Sequence, residues 1–239
     1  MTKRRTAVPT VVTVLHDGFY SCGTGAGCSN RAFLEILTQM LRPGTRLAAL
    51  PIHLSATSRE YDPGWLTEMR ALIERAGGGI FPVCNGTGGQ VRFGGLPNFH
   101  AACTSAAEVI NHQLVPHAGP LLIVAFDVPF FGLAHSLAPA ARASLVVVPR
   151  STAALPAPGD LDRLAWERAG LHATVAAGGR IAAISAHMRH HLTDSYTIPP
   201  AAFVDLPNGL TQTERQPARA PEAGLLPGPA RRGFLFAMG

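Results

Sequence analysis

The sequence predicts an α/β fold built on a parallel sheet with helices on both faces, and three observations predict it. Short β-branched apolar runs alternate with longer stretches of helical period, the pattern of strand and helix units feeding a parallel sheet. Several runs are apolar at nearly every position rather than every second one, as expected of strands covered on both faces. Gly, Pro or Asn stands at most of the joints between the two kinds of segment.

In chain order, the apolar runs place strands at 10–15, 46–51, 79–83, 121–126, 144–148, 180–184 and 203–206. Helical spacing places helices at 30–41, 64–76, 101–117, 160–176 and 186–195. The run at 118–134 is the nearest approach to a membrane span, but Pro120, Asp127 and Pro129 are each costly in a lipid-facing helix. A buried strand followed by a helix accounts for it. Residues 1–9 read as a basic tail rather than a leader, because Pro9 interrupts the apolar stretch behind Lys3-Arg4-Arg5. Residues 211–232 carry Pro217, Pro221, Pro227 and Pro229 and read as a linker. The apolar run 233–239 beyond it reads as the start of a second, truncated lobe, or alternatively as a last edge strand.

Of the 239 residues, 47% are hydrophobic and 15% charged, which excludes a disordered chain. The net charge of +5 is carried by the two ends, which leaves residues 11–210 neutral. A phosphate-backbone footprint is therefore not expected, and nucleic acid is excluded as the partner. Cys22, Cys28, Cys84 and Cys103 show no Cys-x-x-Cys spacing and read as reduced thiols of a cytoplasmic protein.

The first strand ends in His16-Asp17 and runs into a glycine-rich turn containing Gly23, Thr24, Gly25 and Gly27 ahead of a helix. Such a turn lets a ligand approach the backbone, and free amides at a helix start attract anions, so these residues are candidates for a phosphate or sugar-hydroxyl site. A plain flexible turn is the alternative, and the spacing is not a dinucleotide fingerprint. In open parallel sheets ligands sit where strand order reverses, commonly between the first strand and the fourth. Asp127 closes the fourth predicted strand and is the candidate catalytic or ligand-orienting carboxylate; as an N-cap of the next helix it would serve equally. Arg150 and Ser151 close the fifth, where Arg150 reads either as an anion clamp or as a solvated loop residue. His187, His190 and His191 share a helix face, but with no Cys or carboxylate cluster beside them they read as a surface patch and no metal is assigned. Ser185 reads as the N-cap of that helix.

Residues 180–210, RIAAISAHMRHHLTDSYTIPPAAFVDLPNGL, resemble the end of the amino-terminal lobe of glycosyltransferase family 4 and the related starch and glycogen synthases. Ser185, Tyr196, Ile198, Pro199, Asn208 and Gly209 carry the resemblance, the loop at 22–27 resembles the family's first-strand loop, and 234–239 resembles the first strand of the carboxyl lobe. The resemblance implies a Rossmann-like lobe of 10–210 within a two-lobed GT-B enzyme. It also implies a nucleotide-sugar donor held mainly by the other lobe, a small-molecule or glycan acceptor held by this one, retention of configuration and no bound metal. Pro149-Arg150-Ser151 departs from the His that many relatives carry near the end of the fifth strand. The Ala- and Arg-rich composition suggests a GC-rich bacterial genome, where enzymes of the family it resembles often decorate secondary metabolites. The competing expectations are a non-catalytic Rossmann-like binding or regulatory module, and a sugar epimerase of the same architecture.

Overall fold

The computed structural model describes residues 8–209. Its elements are β1 (Val8–Leu15), α1 (Gly25–Met40), β2 (Arg46–Pro51), α2 (Pro63–Arg75), β3 (Gly79–Ile80), α3 (Leu96–Val109), β4 (Ala118–Phe126), α4 (Leu133–Ser136), α5 (Pro139–Arg142), β5 (Leu145–Val148), α6 (Leu161–Ala176), β6 (Arg180–Ala183), α7 (Ala186–Tyr196) and β7 (Phe203–Asp205). The seven strands form one parallel sheet in the order β3-β2-β1-β4-β5-β6-β7. The chain builds outward from β1 to β3, then returns to lay β4 on the other side of β1, so the order reverses between β1 and β4. This is the Rossmann-like α/β architecture that the apolar runs predict.

The sheet is buried on both faces because its strands alternate between two apolar clusters rather than between core and water. Val12, Val14, Ile123, Ala125 and Val147 meet α3, α6 and α7, whereas Leu15, Leu47, Val124, Phe126 and Val148 meet α1 and α2. At roughly 25 cal/mol per Å² of buried apolar surface, these two layers are the dominant favourable term. Among the described residues no helix is long and apolar enough to cross a membrane.

Departures from the predicted boundaries have local causes. β1 starts at Val8, with Pro9 accommodated at a shift in the pairing register between Val8 and Thr10. α1 starts five residues earlier than position 30, because the Thr24 side chain caps it by accepting from Gly27 N. The third predicted strand is cut to two residues by Pro82 and survives only as a bridge from Val83 to Ile52. α3 begins at Leu96 behind Gly95 and gives way to a π turn and a 3₁₀ turn that contains Pro116. The helix expected after β4 is broken into a 3₁₀ turn, α4 and α5 by Pro129, Gly132 and Pro139. The linker at 211–232 and the run at 233–239 lie outside the described residues.

The far side of the sheet is tied by a buried carboxylate. Glu167, on α6 and 0% exposed, accepts from the backbone N of Ala153 at 2.9 and 2.8 Å and from Arg163 Nε at 2.9 Å, and Tyr196 OH donates to it. Burial and the bond to Glu167 push the Tyr196 phenol up to about 12. The neutral phenol is thus favoured in the folded state, and the stability it contributes is present below the ordinary tyrosine pKa of about 10 and is lost as pH rises towards 12. Urea unfolding between pH 9 and 12 should show a steep loss of stability above pH 10 that Tyr196→Phe flattens. An identical pH profile in the variant would contradict this assignment.

Candidate functional site

The carboxyl ends of β1, β4 and β5 bring His16, Asp127 and Arg150 together at the strand-order reversal. Asp127 Oδ2 lies 3.3 Å from His16 Nδ1 and 3.4 Å from Arg150 Nη1, with all three side chains at least nine-tenths buried. His16 Nδ1 is at ion-pair distance but is not aligned for a hydrogen bond, so this buried nitrogen has no hydrogen-bond partner among the described residues. The His16 ring also meets Phe93 edge-on, 5.8 Å between centroids.

Asp127 has φ 69° and ψ 175°, a backbone region that essentially only glycine visits and that costs a side-chain-bearing residue about 1–3 kcal/mol. Surrounding contacts hold it there. Asp127 N donates to Val148 O, Trp166 Nε1 donates to Val128 O at 3.0 Å, and Cys103 Sγ donates to Pro129 O at 3.2 Å. Gly170 on α6 packs against the Phe131 carbonyl so closely that a Cβ would overlap it. The Asp127 side chain makes no capping bond to the following turn, contrary to the N-cap reading, and its carboxylate lies instead against His16 and Arg150.

Arg150 is turned inward. Its Nη1 donates to Asn30 Oδ1 and to Ala26 O, its guanidinium lies 4.7 Å from the centre of the Phe126 ring, and its Nε is buried with no hydrogen-bond partner among the described residues. Burial lowers its pKa, and the Asp127 carboxylate opposes that shift. Arg150 thus binds the protein's own carboxylate and ties the loop after β5 to α1, while Ser151 beside it is exposed. Neither reading of Arg150 from sequence, a clamp on an outside anion or a solvated loop residue, describes this engagement.

The β1 turn forms the other wall. Asp17, with its side chain 0% exposed, accepts from Gly18 N at 2.7 Å and Thr24 Oγ1 at 2.6 Å, and pairs with Arg92. Arg92 also donates to Ser21 Oγ at 2.8 Å and pairs with Glu60 at 3.2 Å. Gly25 and Gly27 lie inside the first turn of α1, so the glycine-rich loop is shorter than its sequence suggests. A Cβ at Gly23 would strike Arg92 and one at Gly27 would sit 2.8 Å from Asp17 Oδ2, whereas one at Gly25 would meet nothing within 4 Å. Glycine at 23 and 27 therefore leaves room for the Arg92 and Asp17 side chains, and the space over Gly25 is open.

Cys22 and Cys28 are disulfide-bonded across this turn, with Cα atoms 5.8 Å apart, which corrects the reading of four reduced thiols. The cysteines consequently no longer argue for a cytoplasmic location. Cys84 is exposed and Cys103 buried. The His187, His190 and His191 face is likewise not a uniform surface patch. His191 Nε2 lies 2.7 Å from Thr152 Oγ1 and Nδ1 lies 3.3 Å from Ser195 Oγ, while burial and then His187 lower its pKa. No group of three His, Cys, Asp or Glu is placed to hold a metal among the described residues. Ser185 does cap α7, accepting from Met188 N.

His16, Asn30 and Arg92 are parts of this site that the sequence reading did not single out. The five glycines between 86 and 95, four of them at positive φ, were the available signal for the Arg92 loop. A groove of about 470 Å³ between α1 and α2 lies away from this edge and is lined by ion pairs of the half-buried Arg31 with Glu35 and the exposed Glu68. The strained, buried cluster is the better candidate because perturbed backbone and converging charges occur there together. No family model matches the chain, and no curated protein sequence does.

Asp127→Gly should be more stable than Asp127→Ala by about 1–3 kcal/mol, since both lose the carboxylate but only glycine relieves the strained φ. Urea denaturation of the two variants measures this; an Ala variant at least as stable as the Gly variant would show that the backbone is not strained.

Proposed function

We propose that residues 8–209 are the acceptor-side lobe of a glycosyltransferase that uses a nucleotide sugar, with His16 and Asp127 as its proton-handling pair. The observation that carries this reading is the buried His16 and Asp127 contact, 3.3 Å, at the crevice where open parallel sheets bind ligands. The resemblance of residues 180–210 to the glycosyltransferase lobe supports the same class, as does the parallel order of the sheet. A second Rossmann-like lobe would supply the donor nucleotide site in this reading.

Asp127 beside Nδ1 selects the tautomer that carries its proton there, which leaves Nε2 as a base. When an acceptor hydroxyl attacks the anomeric carbon, its proton passes to Nε2, the bond from that carbon to the nucleotide's phosphate oxygen breaks, and Asp127 stabilises the resulting imidazolium. Hydrogen bonds of this kind are often loose before substrate arrives and tighten in the reacting complex. Arg150 holds the Asp127 carboxylate in place. The positive end of α1 at Gly25 offers amides to the donor phosphates or the sugar. Base-assisted single displacement inverts the anomeric centre, which departs from the retention that the family resemblance implies. The acceptor is a hydroxylated small molecule or glycan.

The test is mass-spectrometric screening of the protein encoded by the full gene against a panel of nucleotide sugars and cell extract, reading gain of a glycosyl mass. His16→Ala and Asp127→Asn should each lower transfer about 10²–10⁴-fold, the usual contribution of a positioned acid or base. Gly25→Ala should leave stability unchanged or raise it by up to about 1 kcal/mol, yet weaken binding of the nucleotide sugar. Undiminished transfer in the His16 and Asp127 variants would remove the pair from the mechanism, and ligand binding without any transfer would favour a binding module instead.

A further inference from the structure

We infer that the Cys22–Cys28 disulfide is a reversible redox clasp on the turn that walls the β1 end of the crevice, opened by a dithiol reductant. Cys22 precedes the turn and Cys28 lies in the first turn of α1, so the cross-link encloses Gly23, Thr24, Gly25, Ala26 and Gly27. Several contacts between this turn and the site lie within that ring. Thr24 Oγ1 donates to the buried Asp17 carboxylate and accepts from Gly27 N, Gly23 lies against the Arg92 guanidinium, and Ala26 O receives Arg150. With the clasp closed, these bonds are made by a turn with little freedom; with it open, the same short bonds must hold an exposed segment with three glycines.

The bond is placed for exchange. Cys28 is exposed and Cys22 half-buried, whereas structural disulfides resist reduction and labile ones are strained or exposed. A reductant thiolate attacks Cys28 Sγ, the S–S bond breaks and Cys22 leaves as a thiolate. The reductant's second thiolate then attacks its own sulfur in the mixed disulfide, and Cys28 leaves as a thiolate at the positive end of α1, where helix amides favour the anion. The reductant ends as a disulfide, having given two electrons and, through its two thiols, the two protons that restore both cysteines. Cys103 does not compete, because it is buried and burial pushes its thiol pKa up. The consequence for glycosyl transfer rests on the function proposed above, whereas the exchange itself does not.

The experiment equilibrates the whole protein in glutathione buffers of graded redox poise and in dithiothreitol. It counts free thiols by alkylation and mass spectrometry and follows amide hydrogen exchange over residues 17–30. The expected result is that Cys22 and Cys28 escape alkylation in oxidised protein and titrate together within the glutathione range. Exchange over 17–30 should speed up by about tenfold or more on reduction while α6 stays protected. Cys22→Ser with Cys28→Ser should exchange fast in every buffer. Alkylation of both cysteines without reductant, a bond that glutathione leaves untouched, or exchange that ignores reduction in the wild-type chain would each overturn the clasp. Because no readout uses transfer, its failure and that of the proposed activity are distinguishable.

Discussion

The buried carboxylate of Asp127 is the fixed point of the candidate site. An ion pair removed from water is held only if both charges are satisfied, and deleting one partner costs about 3–5 kcal/mol because the other is left uncompensated. Here the compensation is shared among separate parts of the fold. Arg150 arrives from β5, His16 from β1, and Asn30 on α1 links the two by accepting from Arg150 and donating to Asp17 O. Asp127 is in turn forced into a glycine-like conformation by α6, through Trp166 and Gly170. The loop that carries Arg150 is anchored two residues later, where Thr152 meets His191, and at Ala153 by Glu167. Three strands, the first helix and α6 thereby converge on one carboxylate.

Much of the fold was legible because its signal is short in range. Runs such as 47–51 and Leu145–Val148 declare a doubly covered strand by being apolar throughout, and the alternation with helices then fixes a parallel sheet and its carboxyl edge. Asp127 and Arg150 were legible as positions on that edge. Their partners were not, since Arg92 meets Asp17 across 75 residues and Arg150 meets Asn30 across 120, distances over which no spacing rule operates. Thr24 shows the complementary failure. Three glycines around it suggest an extended loop, but one hydroxyl satisfying Gly27 N starts the helix inside the glycine run. The disulfide was missed because a six-residue separation carries no redox information until the turn brings the two Cα atoms within bonding range.

The function proposed for this arrangement differs in one respect from what family resemblance alone implies. Resemblance points to retention, whereas a histidine backed by a carboxylate at the acceptor side suits removal of a proton during a single displacement. The two walls of the crevice also differ in kind. The Asp127 wall is fixed by tertiary contacts from the core, while the Asp17 wall is held by Arg92 and Asn30 and also by an exposed turn closed by one covalent bond. Under the proposals above, reduction of the Cys22–Cys28 bond would loosen one wall while leaving the His16 and Asp127 contact in place.

The central claim is that His16 and Asp127 act as one unit, and a double-mutant cycle on transfer tests it most directly. Residues that act together are strongly non-additive, so His16→Ala combined with Asp127→Asn should be no slower than the slower single variant by more than a few fold. Losses that multiply, with the double variant reduced by the product of the two single effects, would mean that the residues act independently and would contradict the account.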